Sequence, residues 1–355
     1  MNMNEKVISI LDELKIDAVL VSDGFNMRYI SGFTGATGYL YISRSKSVIL
    51  TDFRYTIQAN NESKGFEVIE ISKGGYTEAI NDLLASDQVK RLGFEDGNVL
   101  YNSYQSFTEK LNMQEMVPVK DSLTRLRIIK TEDELENIRM AEHIGDITFT
   151  KILDVIKPGI TELEIAAHLE FLMKTNGAQG LSFETIVASG VNSSMPHATP
   201  SSKKIELGDF VTMDFGCLYN GYCSDMTRTI VVGKASEEQK VIYNTVLNAQ
   251  LAALEAIHAG VQGKEIDKIA RDLIDSTKYK GCFGHGLGHS VGLFIHEEPR
   301  FSPSESGIIL ANVTETVEPG IYIKDFGGVR IVDLVVVTED GYTNFTHSEK
   351  HLIEL

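Results

Sequence analysis

The sequence predicts an α/β domain followed by an α+β domain built from two similar halves. Three observations carry this. Residues 1 to about 125 alternate helical and strand patterns, as a mixed sheet with covering helices requires. Between Arg125 and Lys130 the pattern changes, and Thr131-x-x-Glu134 forms a capping box at the head of a long helix. Further on, Gly159-Ile160-Thr161-Glu162-Leu163-Glu164-Ile165 lines up with Gly260-Val261-Gln262-Gly263-Lys264-Glu265-Ile266. Each copy sits between two helical patterns, and strand-rich segments follow at 184–231 and 288–338. The expected domains are 1–125 and 126–355.

The elements follow in order. An amphipathic helix carries Val7, Ile10, Leu11 and Leu14 on one face. Ala18-Val19-Leu20-Val21 reads as a short buried strand. Tyr39-Leu40-Tyr41-Ile42 and Val48-Ile49-Leu50 flank a polar Ser-Arg-Ser-Lys turn and predict a hairpin. Strands at Phe66 to Ile71 and Leu92 to Phe94 alternate with helices at 76–88 and 101–113. In the second domain the long helix is expected to reach Pro158-Gly159. Thr161-x-x-Glu164 caps the next, which ends near Gly177, and Ser236-x-x-Gln239 caps a third. A fourth, Glu265 to Asp275, has an apolar stripe of Ile266, Ile269, Ala270, Leu273 and Ile274.

Composition excludes several function classes. A hydrophobic fraction of 43% and a charged fraction of 23% are those of an ordinary globular chain. The net charge of -17 leaves no basic stripe for a nucleic acid. There is no apolar run long enough for a signal sequence or a membrane span, so a cytoplasmic protein without a membrane partner is expected. Cys217, Cys223 and Cys282 are too few for a disulfide framework, and the C-x5-C spacing of the first two lacks a second pair for zinc.

Chemistry concentrates in the second domain. Asp214 follows the apolar run Phe210-Val211-Thr212-Met213, and Asp225 lies eleven residues on, at what reads as the return strand. A buried carboxylate needs a metal or a strong donor. His285, His289 and His296 fall within twelve residues, in Gly284-His285-Gly286-Leu287-Gly288-His289 and Phe294-Ile295-His296-Glu297-Glu298-Pro299. Glu318 opens Glu318-Pro319-Gly320, and His197 lies in a loop between Pro196 and Pro200. Oxygen donors with one imidazole suit one or two divalent metals.

These segments, with Gly32-Phe33-Thr34-Gly35, Thr51-Asp52-Phe53-Arg54-Tyr55 and Val187 to His197, resemble the pita-bread metallopeptidases almost end to end. The proline-directed branch, aminopeptidase P and Xaa-Pro dipeptidase (prolidase), is favoured by His296-Glu297-Glu298-Pro299 and the large N-terminal segment. The resemblance implies a creatinase-type α/β domain and a pita-bread catalytic domain with an internal pseudo-twofold repeat. It implies Asp214, Asp225, His289 and Glu318 as metal ligands and His197, His285, His296 and Arg330 as catalytic residues. It further implies a divalent metal, expected to be manganese with cobalt or zinc as alternatives, and small peptide substrates with proline second. A homodimer is also implied, the N-terminal domain often closing a neighbour's site.

One position departs. In Gly328-Val329-Arg330-Ile331-Val332-Asp333, Val332 stands where the family has a glutamate bridging two metals. In the full family site two metals about 3.5 Å apart hold a hydroxide between them. Valine cannot ligate, so one metal rather than two is expected here. Strand alternation points Asp333 to the opposite face and Glu315 away from Glu318, so neither replaces the missing group. Three readings stay open: a proline-directed metallopeptidase weakened at Val332, a metal-free creatinase-like hydrolase, and a silent pita-bread module that binds peptides or proteins.

Overall fold

The computed structural model describes residues 3–355 and divides into two compact units, the first ending at Arg127 and the second beginning at Ile128. The first unit is built on a six-stranded mixed sheet. Its strands run Glu67–Glu70, Ser47–Thr51, Tyr39–Ser43, Ala18–Val21, Arg91–Phe94 and Glu115–Pro118 in spatial order. Both faces are covered, which explains why the strands read as unbroken apolar runs. Val19, Val21, Leu40, Ile42 and Ile49 pack on one side; Ala18, Leu20, Tyr41, Val48 and Leu50 pack on the other. The expected hairpin forms, its turn closed by Ser43 Oγ accepting from Lys46 N at 3.1 Å.

Two short helices, Gly24–Ser31 and Thr56–Glu62, lie beyond the sequence reading. The first has local signals, since Asp23 caps Asn26 N at 2.8 Å and Gly32 (φ 79°) ends it. The second has no side-chain cap. The helix expected over 101–113 stops at Lys110, and Glu115–Pro118 becomes an edge strand, where proline's missing N–H is tolerated.

In the second unit the long helix is Glu132–Ile152, with both bonds of the Thr131/Glu134 capping box. It ends one and a half turns before the expected Pro158-Gly159. Proline disfavours helical backbone at the residue before it, and Gly159 (φ 95°) turns the chain. The other helices are Glu162–Thr175, Glu237–Glu255 and Gly263–Asp275.

The duplication is visible in the backbone. Gly159 N donates to Ile205 O and Gly260 N to Ile309 O, at 2.9 and 2.8 Å. Ile205 N donates back to Ile160 O, and Ile309 N to Val261 O, at 2.8 and 2.9 Å. Thr161 bridges Lys204 as Gln262 bridges Ile308. Each helix pair covers mainly its own strands, while Leu135 and Ile138 of the long helix pack with Leu334 and Val336 of the second half.

The halves meet along a seam. In the first, Phe210–Phe215 lies between Met226–Val231 and Ile186–Ser189; in the second, Asp333–Val337 lies between Thr314–Val317 and Tyr342–Asn344. Val332 N donates to Thr227 O at 3.1 Å across the seam, and Thr229 Oγ1 accepts from Arg330 N and donates to Arg330 O. The final residues join the wall: Val231 N donates to Ile353 O, Leu355 N to Val231 O and Gly233 N to Leu355 O. Among the described residues no helix is long and apolar enough to cross a membrane.

Glu315 is fully buried on Thr314–Val317, and neither carboxylate oxygen has a partner. Burial pushes its carboxyl well above the usual range, so the folded state favours the neutral acid. A carboxyl raised on folding contributes its stability below its unfolded value and loses it as pH rises toward the folded one. Glu315→Met is therefore expected to raise stability by about 1–3 kcal/mol at pH 8. The gain should shrink near pH 4, where the carboxyl is neutral in both states and only its lack of partners still costs stability, as thermal denaturation at the two pH values will read.

Candidate active site

The strand pairing of the first half fixes both aspartates. Met213 and Phe215 point into the helix-side core, so alternation sends Asp214 to the opposite face. Thr227 pairs with Asp214, and Asp225 sits just before that return strand. Its backbone N–H donates to Glu142 Oε2 at 3.2 Å, and Glu142 Oε1 accepts from Thr346 Oγ1 at 2.6 Å. In the second half His289 lies on the strand Gly288–Ser290. A Cβ at Gly288 would fall 1.8 Å from Thr316 O, so only glycine lets His289 approach the neighbouring strand. Glu318 follows Thr314–Val317, and its Oε1 accepts from Thr316 Oγ1 at 3.1 Å.

All eight residues singled out in the sequence line one cavity of about 760 Å³. Three of the four carboxylate and imidazole ligand positions converge closely. His289 Nε2 lies 3.4 Å from Asp225 Oδ2 and 3.5 Å from Glu318 Oε1. Its Nδ1 faces Ser290 O at 3.1 Å, which directs Nε2 at the carboxylates. Asp214 is engaged differently: its Oδ2 accepts from Arg330 Nη2 at 2.6 Å, and its buried Oδ1 has no partner.

The histidines are tied to these groups. His285 Nδ1 donates to Gly286 O at 2.8 Å, leaving Nε2 to accept from Tyr322 OH at 2.9 Å. The Tyr322 oxygen in turn accepts from Arg330 Nη1 at 2.9 Å. Arg330 Nη1 also donates to Pro196 O, next to His197, at 3.1 Å. The rings of His296 and His289 stand edge to face, 4.6 Å between centroids.

Electrostatics follow from burial and crowding. Burial raises Asp225 and Glu318. Burial works to lower His289, but the Asp225 and Glu318 carboxylates prevail and lift it to about 9. Burial and the positive charges of His289 and Arg300 lower His296 to about 4, and burial lowers His285. The cluster thus gathers a proton where negative charge converges, as a cation site does.

Among the described residues no three or more His, Cys, Asp or Glu side chains already surround one point as a metal cage. The donors nevertheless suit one divalent cation: two carboxylates and one oriented imidazole within 3.5 Å, short of charge balance. Further donors are already engaged or absent. Asp214 is matched to Arg330, and buried Val332 shares the cavity-side parity of Arg330, while Val329 and Ile331 enter the helix-side core. Asp333 is paired with Arg228 and Lys350, and Glu315 lies off the cavity, so neither fills the gap.

Sequence reading missed Tyr322, Glu142 and Arg300. Tyr322 alternates with Ile321 and Ile323, which pack into the helix-side core, a signal available in the sequence. Glu142 lies mid-helix and reaches the site only through tertiary packing. Arg300 lines the cavity from the strand Glu297–Phe301.

Residues 136–339 match the model of metallopeptidase family M24, and residues 4–129 match the Creatinase/Prolidase N-terminal domain. The Xaa-Pro dipeptidase of Pyrococcus furiosus is 41% identical, over 98% of this chain and 99% of that protein. The structure of an Xaa-Pro dipeptidase from Bacillus anthracis superposes with a TM-score of 0.97 at 41% identity, covering 99% of each chain. An X-Pro aminopeptidase from Thermotoga maritima gives 0.93 at 36% identity, covering 100% of each.

His289 supplies a test of the cation site. With its value lifted to about 9, the metal-free protein holds a proton there at pH 7.5 that a ligating imidazole must give up. That proton stabilises the metal-free fold below about pH 6.5 and ceases to do so as pH rises through 9. Zinc addition at pH 7.5 is expected to release close to one proton. Calorimetry in buffers of different ionisation enthalpy measures it, and Glu318→Gln should reduce both the release and the affinity.

Proposed function

The chain belongs to metallopeptidase family M24, and from that membership we propose that it removes the N-terminal residue from Xaa-Pro peptides with one divalent cation, weakly. The observation that carries this is the meeting of Asp225, His289 and Glu318 in a cavity that also holds His197, His285 and His296. Asp225, His289 and Glu318 would hold the cation. Manganese is our assignment, since oxygen donors with a single imidazole suit it. When bound, such a cation polarises a carbonyl and acidifies water.

The chain's own groups supply the rest. His296, lowered to about 4, is neutral across the working pH range and can donate a hydrogen bond to the carbonyl oxygen as charge develops there. Glu318, which would be a carboxylate while holding the cation, could take the attacking water's proton and pass it to the departing nitrogen. An Xaa-Pro bond is a tertiary amide with no N–H, so the site needs no acceptor for one. Arg330 keeps its charge and orients Asp214, and through Tyr322 it orients His285. Arg300 on the cavity wall offers a guanidinium to a substrate carboxylate, which favours dipeptides. We also read the protein as a homodimer. Phe53 and Ile57 of the first unit, 75% and 79% exposed, support an association surface, and sedimentation at micromolar concentration tests it.

A silent peptide-binding module is the second reading, favoured by Val332 alone. Val332→Glu separates the two. Under the peptidase reading it should raise bound manganese from about one toward two per chain. Xaa-Pro dipeptide hydrolysis should then increase about 10- to 100-fold. Elemental analysis and turnover on dipeptides beside longer Xaa-Pro peptides provide the readings. Unchanged metal content and turnover would remove position 332 from the site, and a variant that binds two metals without hydrolysis would favour the module.

A further inference from the structure

The buried carboxylate of Glu162 has no place in the chemistry above, yet it grips the loop that carries His197. Glu162 is the first residue of the helix Glu162–Thr175 and is fully buried. Its Oε1 accepts from Ser189 N at 2.7 Å and Ser189 Oγ at 2.8 Å. Its Oε2 accepts from Ser201 N at 3.0 Å and Ser201 Oγ at 2.7 Å. Asn192 Nδ2 donates to both oxygens, at 3.1 and 3.3 Å. Ser189 and Ser201 are the two ends of the segment holding Pro196-His197-Ala198, so one side chain closes that segment into a loop.

The duplicated half shows that this carboxylate is a local device, not a demand of the fold. The matching position is Gly263, where a Cβ would fall 2.1 Å from Arg300 O. There the loop of His285 is held from one turn further along the helix Gly263–Asp275. Asp267 Oδ1 accepts from Leu287 N at 3.0 Å, and Arg271 donates to Phe283 O and His285 O at 2.9 and 2.7 Å. Both halves therefore fasten a histidine loop with a buried acidic side chain on their second helix, using different residues.

We propose that Glu162 is a positioning residue for catalysis, acting through His197 by fixing both ends of its loop. The inference rests on the peptidase reading for its kinetic consequence. A misplacement of about 1 Å at a reacting group is costly, so Glu162→Gln, which turns one acceptor into a donor facing Ser189 or Ser201, should lower kcat about 10- to 100-fold. KM should change little, because the cation site and Arg300 are untouched.

The test is a double-mutant cycle on Xaa-Pro dipeptides, run in this chain and in the Val332→Glu background, with manganese loaded. If Glu162 acts through His197, Glu162→Gln should cost less than about twofold once His197 is already alanine. Glu162→Asp should recover part of the rate. Independent, multiplying losses, or an unchanged kcat, would overturn the proposal. Should Glu162→Gln fail to fold, Ser201→Ala, which removes one loop-end bond, enters the same cycle with the same criteria. If neither background hydrolyses any Xaa-Pro peptide, the peptidase reading has failed, and amide hydrogen exchange judges the clamp. Faster exchange confined to residues 189–201 in Glu162→Gln or Ser201→Ala sustains it, and unchanged exchange there refutes it.

Discussion

A single buried guanidinium organises the catalytic unit. Arg330 is 3% exposed, and an arginine stays charged wherever it is placed, so each of its donors must find an acceptor. Those acceptors come from both halves: Asp214, Thr227 and Pro196 from the first, Tyr322 from the second. Satisfying one cation therefore sets where an aspartate, a histidine loop and a tyrosine–histidine pair can stand. Position 332, two residues on, is where the halves exchange a backbone hydrogen bond.

The duplicated architecture explains how so much charge is buried without collapsing the core. Each helix pair packs mainly on its own strands, and a smaller apolar cluster of Leu135, Ile138, Leu334 and Val336 ties the halves together. Polar groups collect on the faces turned away from the helices or along the seam. The exceptions are paired, as in Arg228 with Asp333 and Lys130 with Glu297, or they are carboxyls that burial drives toward the neutral acid, as in Glu315 and Glu142.

Much of this was legible in the sequence, for identifiable reasons. Capping boxes at Thr131, Thr161 and Ser236 are local hydrogen-bond devices, and all three appear with both of their bonds. Period-two alternation pointed Asp333 away from the cavity, and it lies off it, paired with Arg228 and Lys350. The short repeat at Gly159 and Gly260 corresponded to matched backbone bonds. What escaped was tertiary. The helix Thr56–Glu62 lacks a side-chain cap, and Glu142 reaches the site only because its helix packs close enough to accept from Asp225 N. Burial of Glu162 is invisible in a motif where it reads as an ordinary acidic first-turn residue. The engagement of Asp214 by Arg330 likewise needed both halves in place.

The last residues of the chain are masonry. Arg228, whose guanidinium donates to Val332 O at the seam, also donates to Ser348 O and Glu349 O, and beyond these Ile353 and Leu355 zip onto Val231 and Gly233. Trimming these residues, or pulling on them through a fused cargo, would load the joint between the halves rather than a loose end. For anyone handling the protein, an affinity handle belongs elsewhere, and a preparation nicked near residue 350 is a different enzyme sample even if most of its mass is intact.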